Sequence, residues 1–311
     1  MLGFFPTPYP DELFYSVIAR YHIRSGNKSF RQTHKELFGT VELQPDKIVL
    51  PNNLSFLVSQ LPQSSQLTVE ILIKRNTLYP FFRSFLTPVE IYYFKDLLRS
   101  KSSTSISQAT RISDKERNRV LKFCPECRAE DEQSYGEAYW HRQHQIPGML
   151  TCLKHEAPLL DSIILLENKQ IHYYAASQVN LNKMDKVNYS PEFEKKALSI
   201  AREIDWLSRN YIEFQGMTWL RNKYKSLLID KGFVTKYSRT KFRYHEELIA
   251  EAFVEFYGKE FLQAIQPKLW EKRNVYLEYS LFSCDIAQTI DRVTHILLIK
   301  FLCGSIRNVF D

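Results

Sequence analysis

The sequence predicts a mainly α-helical fold that is interrupted near its middle by a small module containing cysteine and histidine pairs. Glycine is scarce, at 9 of 311 residues, which argues against a β-rich fold with many tight turns. Apolar residues recur at helical spacing between clear start and stop signals. The central module is marked by the strings CPEC and CLKH. A chain of 311 residues is long enough for more than one compact domain.

Residues 1–99 are predicted to form a bundle of short helices that is similar to a helix-turn-helix domain. The first helix is predicted over residues 10–25, because Asp11 and Glu12 would suit the positive end of its dipole and Gly26 can end it in a left-handed conformation. Further helices are predicted over residues 30–38, 54–61, 69–76 and 87–99. The last of these opens with the capping-box string TPVE, which also places proline at the first helical position.

The two ligand pairs of the central module have the spacing of a metal site. Cys124 and Cys127 form the first pair, and Cys152 and His155 form the second after 24 intervening residues. Two residues between the members of a pair allow both side chains of a tight turn to reach one ion. Three thiolates and one imidazole fill a tetrahedral shell, so the sequence predicts one structural Zn²⁺ in a zinc-ribbon-like module.

Other interpretations of these residues remain open. The cysteines could be unpaired thiols beside a surface histidine, although three of the five cysteines fall within one 32-residue window. His141 and His144 lie between the two pairs, close to Trp140, and we expect them to orient the module; the alternatives are that they are metal ligands or acid–base residues. A closed ligand set leaves no position for a reacting water, so we predict no catalytic residues.

The module is predicted over residues 123–189, after a linker at 100–122 whose first part is rich in serine and threonine. Within the module, apolar residues at 163–166 and 171–174 predict a small β-hairpin. Residues 190–311 are predicted to form a second helical, helix-turn-helix-like domain. Its helices are predicted over residues 190–214, 219–229, 246–257 and 259–265.

The excess of positive charge is concentrated in the C-terminal domain. The net charge of the chain is +7, and the stretch 219–245 alone contains eight basic residues against one acidic residue. Aromatic residues alternate with these charges, a composition that suits a phosphate-rich partner because each phosphate contact releases counterions. The alternative is a solvated helix face. The DNA-binding residues that we predict are Lys223, Lys225, Arg239, Lys241 and Arg243.

The composition also bounds the cellular compartment. No run of about 18 apolar residues is present, so no transmembrane helix and no membrane partner are predicted. The N-terminus lacks the basic region and apolar core of a secretion signal. An odd number of cysteines, three of them in a metal-type pattern, favours a reducing compartment. We therefore expect a cytoplasmic protein.

Three blocks along the chain resemble one protein family. They are FPTPYPDELFYSVIARY at 5–21, YGEAYWHRQHQIPG at 135–148 between the ligand pairs, and HILLIKFL at 295–302. In this order they resemble the TniQ/TnsD family of transposon target-selection proteins. Members that read a fixed attachment site are commonly longer than 311 residues.

The resemblance implies a non-enzymatic adaptor of bacterial transposition that works at the nucleoid. Its partners would be double-stranded target DNA, or a guide-RNA effector complex already on DNA, and the AAA+ ATPase regulator of the transposon. Alternating prolines make the N-terminal arm extended, and we predict that its aromatic residues Phe4, Phe5 and Tyr9 bind that regulator. Packing of the arm on its own domain is the alternative. A zinc-dependent transcription regulator and a metal-dependent nuclease are the rival functions.

Overall fold

The computed structural model describes residues 1–40, 50–101, 120–165, 172–179, 188–238, 241–266 and 291–310. Helices dominate these residues and strands are few, so the predicted mainly α-helical fold class is confirmed. The helices are α1 (Phe14–Ser25), α2 (Phe30–Phe38), α3 (Leu54–Gln60), α4 (Val69–Asn76), α5 (Tyr79–Phe82), α6 (Pro88–Arg99), α7 (Pro125–Tyr135), α8 (Pro191–Arg209), α9 (Met217–Asp230), α10 (Glu246–Tyr257), α11 (Lys259–Ile265), α12 (Arg292–Cys303) and α13 (Arg307–Phe310). The strands are β1 (Val120–Phe123), β2 (Leu160–Leu165), β3 (Val234–Lys236) and β4 (Phe242–Tyr244). Throughout the described ranges, each helix is too short or too polar to span a bilayer.

The N-terminal helices begin and end where local signals predict. The side chain of Ser29 accepts a hydrogen bond from the backbone N–H of Gln32 at the start of α2, and Gly39 ends that helix in the left-handed region at φ 67°. Thr87 and Glu90 form the predicted capping box at the start of α6. The ranges predicted for α2 and α4 are confirmed, and α3 ends one residue earlier than predicted.

The predicted start of α1 is wrong. The helix begins at Phe14 rather than at residue 10, and Asp11 lies in the left-handed region at φ 53°. The segment before the helix pairs with the central module instead: the backbone N–H of Leu13 donates to the carbonyl of Trp140 at 2.8 Å, and that of Arg142 donates to Asp11 at 2.7 Å. These non-local hydrogen bonds replace the helical turn that the sequence predicted.

The small sheet of the central module has a different partner from the one predicted. Strand β2 pairs antiparallel with β1, so that Val120 lies opposite Leu165 and Phe123 opposite Leu160. The predicted hairpin between 163–166 and 171–174 is therefore wrong, because residues 172–175 are not a strand. Residues 166–171 lie outside the described residues.

The C-terminal part contains a β-hairpin that the sequence analysis did not predict. Strands β3 and β4 pair antiparallel between α9 and α10, with Val234 opposite Tyr244. Helix α8 ends at Arg209 rather than at residue 214, and the segment after it has no regular secondary structure and buries Phe214. Helices α10 and α11 confirm the predicted ranges 246–257 and 259–265.

Helix α12 connects the C-terminal part to the N-terminal bundle. The guanidinium of the buried Arg292 donates to the backbone carbonyl of Ser84 at 3.1 Å. The ring of His295 lies 5.2 Å from that of Phe85, and its Nδ1 lies 2.8 Å from the hydroxyl of Tyr224. The third sequence block thus forms part of the core.

The central module also packs closely on this core. Gly148 has φ 79°, and a Cβ placed there would lie 3.1 Å from Val293 of α12 and 3.2 Å from Ile204 of α8. The buried apolar residues of all three predicted domains belong to one cluster. The division at 1–99, 123–189 and 190–311 stays a prediction, and most of the linker predicted at 100–122 lies outside the described residues.

Candidate metal centre and nucleic-acid interface

Two tight turns present the four predicted metal ligands. Strand β1 leads into Cys124, which is the N-cap of α7, and Cys127 follows in the first turn of that helix. The second turn is closed by a hydrogen bond from the backbone N–H of Cys152 to the carbonyl of Ala157 at 2.8 Å. His155 lies in this turn, so both ligand pairs are held by short backbone structures.

The donor atoms of the four residues converge. All four lie within 4.8 Å of one another, and the three cysteines are buried. The sulfurs of Cys127 and Cys152 are 3.6 Å apart, and Nδ1 of His155 lies 3.4 Å, 3.3 Å and 3.7 Å from the sulfurs of Cys124, Cys127 and Cys152. Tetrahedral zinc with ordinary bond lengths would require about 3.8 Å between two sulfurs and about 3.6 Å between sulfur and nitrogen. The predicted ligands therefore form a buried cluster that could hold one metal ion, and the donor set fits zinc.

A carboxylate fixes the orientation of the imidazole ligand. Nε2 of His155 lies 3.1 Å from Oε1 of Glu130, which leaves Nδ1 directed at the sulfurs. Lys154 contacts the other oxygen of Glu130. A carboxylate behind a histidine ligand sets its tautomer and raises its basicity, which is typical of metal sites.

The thiols compete for protons. Contact with Cys127 and Cys152 raises the pKa of the Cys124 thiol, whereas contact with Cys124 and Cys127 lowers the pKa of Cys152. Neighbouring thiols share hydrogens in this way when no cation neutralises them. A bound divalent cation would favour the thiolate form of all three residues.

His141 and His144 lie behind the cluster. Nε2 of the buried His144 is 4.0 Å from the sulfur of Cys127, and burial lowers the pKa of His144, which favours its neutral form. Nε2 of His141 lies 2.9 Å from Asp131. Together with Cys127 these histidines form a second group of three possible donors. This group shares Cys127 with the four-donor set, so the two groups could not each hold an ion with a full set of their own ligands.

The basic stretch is distributed over α9 and the β3–β4 hairpin. Lys223 is exposed on α9, and Lys241 and Arg243 are exposed on the hairpin. Lys225 is partly buried, with its ammonium 3.3 Å from the centre of the Phe242 ring, so part of its charge serves the contact between helix and hairpin. Arg239 lies outside the described residues. DNA binding by these residues stays a prediction.

The aromatic side chains of the N-terminal arm contact their own chain. Phe4 stacks on Tyr21 with ring centres 5.2 Å apart, and Phe5 lies 5.9 Å from the same ring. Tyr9 is held more firmly, because its hydroxyl donates to Glu137 at 2.9 Å. Phe4 remains 37% exposed. A partner role for these residues stays a prediction.

A buried ion network that the sequence analysis missed holds this arm in place. Arg20 donates to Glu12 at 2.8 Å, to Glu137 at 2.9 Å and to the carbonyl of Thr7 at 3.3 Å, and its guanidinium lies 3.8 Å from the centre of the Tyr9 ring. Glu12 is fully buried and Arg20 is 3% exposed. The sequence did carry a weak signal, since Arg20 is the one charged residue in the mostly apolar run from Phe14 to Tyr21.

Comparison with known proteins gives matches at both ends of the chain. The model of the TniQ family matches residues 3–159, and that of the family described as Tn7-like transposition protein D matches residues 200–311. Transposon Tn7 transposition protein TnsD from Escherichia coli is 30% identical over 158 residues, which cover 49% of this chain and 30% of that protein. The chain thus aligns with less than a third of that relative. The first match includes all four predicted metal ligands.

Proposed function

Since this chain belongs to the TniQ/TnsD family of transposition proteins, we propose that it selects the DNA at which a transposon inserts. In this role the protein binds target DNA and recruits the AAA+ ATPase regulator of the transposon. A guide-RNA effector complex on DNA is an alternative source of targeting. The site of action is the nucleoid in the bacterial cytoplasm.

The proposal that the protein binds DNA rests on the exposed positive charge of α9 and of the β3–β4 hairpin. Lys223, Lys241 and Arg243 are exposed on adjacent elements, and the aromatic contact between Lys225 and Phe242 joins helix to hairpin. Exposed cations on a helix and on a neighbouring hairpin suit contact with the phosphates of a duplex. Phosphate contacts of this kind position a protein on DNA without reading its sequence.

The metal cluster supports the function through stability. A bound zinc in the Cys₃His set would join the two turns that carry Cys124 and Cys152, and through Trp140 the module contacts the start of α1. Structural zinc contributes folding free energy rather than chemistry. The proposed adaptor therefore needs no catalytic residue.

The salt dependence of DNA binding tests the proposed surface. A triple variant should remove three phosphate contacts: Lys223→Glu, Lys241→Glu and Arg243→Glu. The negative slope of log K against log salt should then become shallower by about 2.7. The matched control reverses three exposed charges on or next to α2: Lys28, Arg31 and Lys35. Equal slopes for the two triple variants would contradict the proposal.

Recruitment of the regulator is tested separately at the arm. Phe4→Ala and Phe5→Ala leave the Tyr9 hydrogen bond intact, so the fold should survive. We expect weaker capture of the purified ATPase on target DNA, with unchanged DNA binding by the adaptor alone. If the variant captures the ATPase as well as the unaltered protein does, the surface that binds the ATPase lies elsewhere. If the unaltered protein itself captures no ATPase, the adaptor role is contradicted.

A further inference from the structure

An open cleft separates the N-terminal helices from the central module. Its volume is 1320 Å³, and it is lined by the N-terminal arm, by α4 and α5, and by α7 with the segment that follows it. Pockets for small molecules usually have volumes of about 300–1,000 Å³. The size and openness of this cleft therefore suit a segment of a polymer chain better than a metabolite.

One wall of the cleft carries positive charge without compensation. Lys74 and Arg75 line it from the last turn of α4, are exposed, and have no ion-pair partner among the described residues. Arg83, the residue that follows α5, lines it as well, with one N–H donated to the backbone carbonyl of Asn210 at 3.1 Å. These three cations face a shared space in which a polyanion would be attracted.

The acidic groups of the cleft do not cancel this charge, because two of them pair with a permanently charged side chain and the third, Asp131, is a buried carboxylate that is hydrogen-bonded to a histidine. The pairs are Asp11 with Arg142, Glu130 with Lys154, and Asp131 with His141. The attraction for an anion consequently comes from the wall formed by α4 and α5.

Aromatic and hydroxyl groups complete the lining. Tyr135 is 42% exposed and packs against Tyr9 with ring centres 4.4 Å apart, so part of its ring remains open to the cleft. Tyr79 is 97% buried, and its hydroxyl has no hydrogen-bond partner among the described residues. Burial raises the pKa of Tyr79 to about 12, so the hydroxyl keeps its proton and remains a donor at neutral pH.

We propose that this cleft binds the backbone of single-stranded nucleic acid, with Lys74, Arg75 and Arg83 on phosphates and Tyr135 stacked on a base. A groove of cations with an exposed aromatic ring is the usual recognition device for single strands. An acidic peptide would satisfy the cations but would leave the ring of Tyr135 without a planar partner. The cleft is separate from the proposed duplex surface, since neither α9 nor the hairpin lines it.

Fluorescence anisotropy with a labelled oligo(dT) 12-mer tests this inference on the full chain. The double variant Lys74→Glu with Arg75→Glu removes two phosphate contacts. The negative slope of log K against log salt should therefore become shallower by about 1.4, and oligo(dT) binding at 50 mM salt should weaken roughly 60-fold. Tyr135→Ala should weaken binding about fivefold or more without changing the slope. Lys28→Glu with Arg31→Glu is the matched control, because both residues are exposed and lie outside the cleft.

Three results would overturn the inference. The first is an equal loss of oligo(dT) binding in the cleft double variant and in the control double variant. The second is binding of a poly-glutamate peptide of the same charge as tightly as oligo(dT). The third is loss of duplex binding in the Lys74 and Arg75 variant to the same extent as loss of oligo(dT) binding. Lysine acetylation of the unaltered protein gives an independent check: oligo(dT) should protect Lys74 and not Lys28, and absence of that protection would also refute the site.

Discussion

Replacement of Arg20 by methionine is the sharpest test of how the N-terminal arm is held. Arg20 binds two carboxylates, Glu12 and Glu137, as well as the carbonyl of Thr7 and the ring of Tyr9. Methionine keeps much of the buried length of arginine and removes the charge and all donors. The Arg20→Met variant thus leaves the fully buried Glu12 without its cation.

The expected loss in the free energy of unfolding follows from the burial of Glu12. Breaking a buried ion pair by removal of one partner costs about 3–5 kcal/mol, because the remaining charge is uncompensated. Burial raises the pKa of Glu12 to about 7, although the neighbouring Arg20 opposes the rise. Loss of Arg20 should raise this pKa further. The variant therefore loses about 1–2 kcal/mol less at pH 6, where Glu12 is protonated with or without Arg20, than at pH 8.5, where Glu12 is ionised in the unaltered protein and the variant lacks the cation that favours this form.

Urea unfolding with zinc present, followed by tryptophan fluorescence, measures this cost at both pH values. The control is Arg24→Met, since Arg24 contacts the same Glu137 from an exposed position and should cost at most about 1 kcal/mol. A second variant, Arg20→Met with Glu12→Gln, removes the orphaned charge and should recover about 2 kcal/mol at pH 8.5. If Arg20→Met costs no more than Arg24→Met, or if Glu12→Gln recovers nothing, this account of the network is wrong.

Three further predictions concern the centre and the core. Cys127→Ser should lower zinc content well below one per chain and abolish cooperative unfolding of the module, whereas His155→Cys should retain the metal; elemental analysis and circular dichroism measure both. Gly148→Ala should destabilise the fold by about 2–3 kcal/mol through strain and overpacking, whereas Gly136→Ala, at φ 75° in open space, should cost about 1 kcal/mol in thermal unfolding. Burial lowers the pKa of His295 to about 3, so the folded state disfavours protonation of this residue and the protein loses stability as the pH falls below 6.5. Between pH 7 and 5.5, the free energy of unfolding of the unaltered protein should fall by about 1.3 kcal/mol more than that of His295→Gln.

Features whose signals are local could be predicted from the sequence. The start of α6 depends on Thr87 and Glu90, three residues apart, and the end of α2 depends on Gly39 alone. The metal cluster was found for the same reason, since two residues separate the ligands within each pair. In each case the decisive groups, which for the metal cluster are the two ligands of each pair, lie within one turn of chain, where spacing determines geometry.

Features that depend on residues far away in the sequence could not be predicted from the sequence. The start of α1 is set by backbone bonds to Trp140, and the partner of β2 is a strand that begins 40 residues before it. Nothing local to Asp11 distinguishes a helical first turn from a segment paired with another module. The β3–β4 hairpin did have a weak local signal, the alternation in Phe242-Arg243-Tyr244, which the density of basic residues concealed.

The contact between Arg292 and Ser84 has a consequence for how the protein is made. These residues are 208 positions apart. At about 5–20 residues per second, the ribosome adds the second roughly 10–40 s after the first. Throughout that interval Phe85, which is fully buried in the finished fold, lacks the His295 ring that covers it. The N-terminal helices consequently leave one side of the Phe85 ring uncovered until α12 has been synthesised.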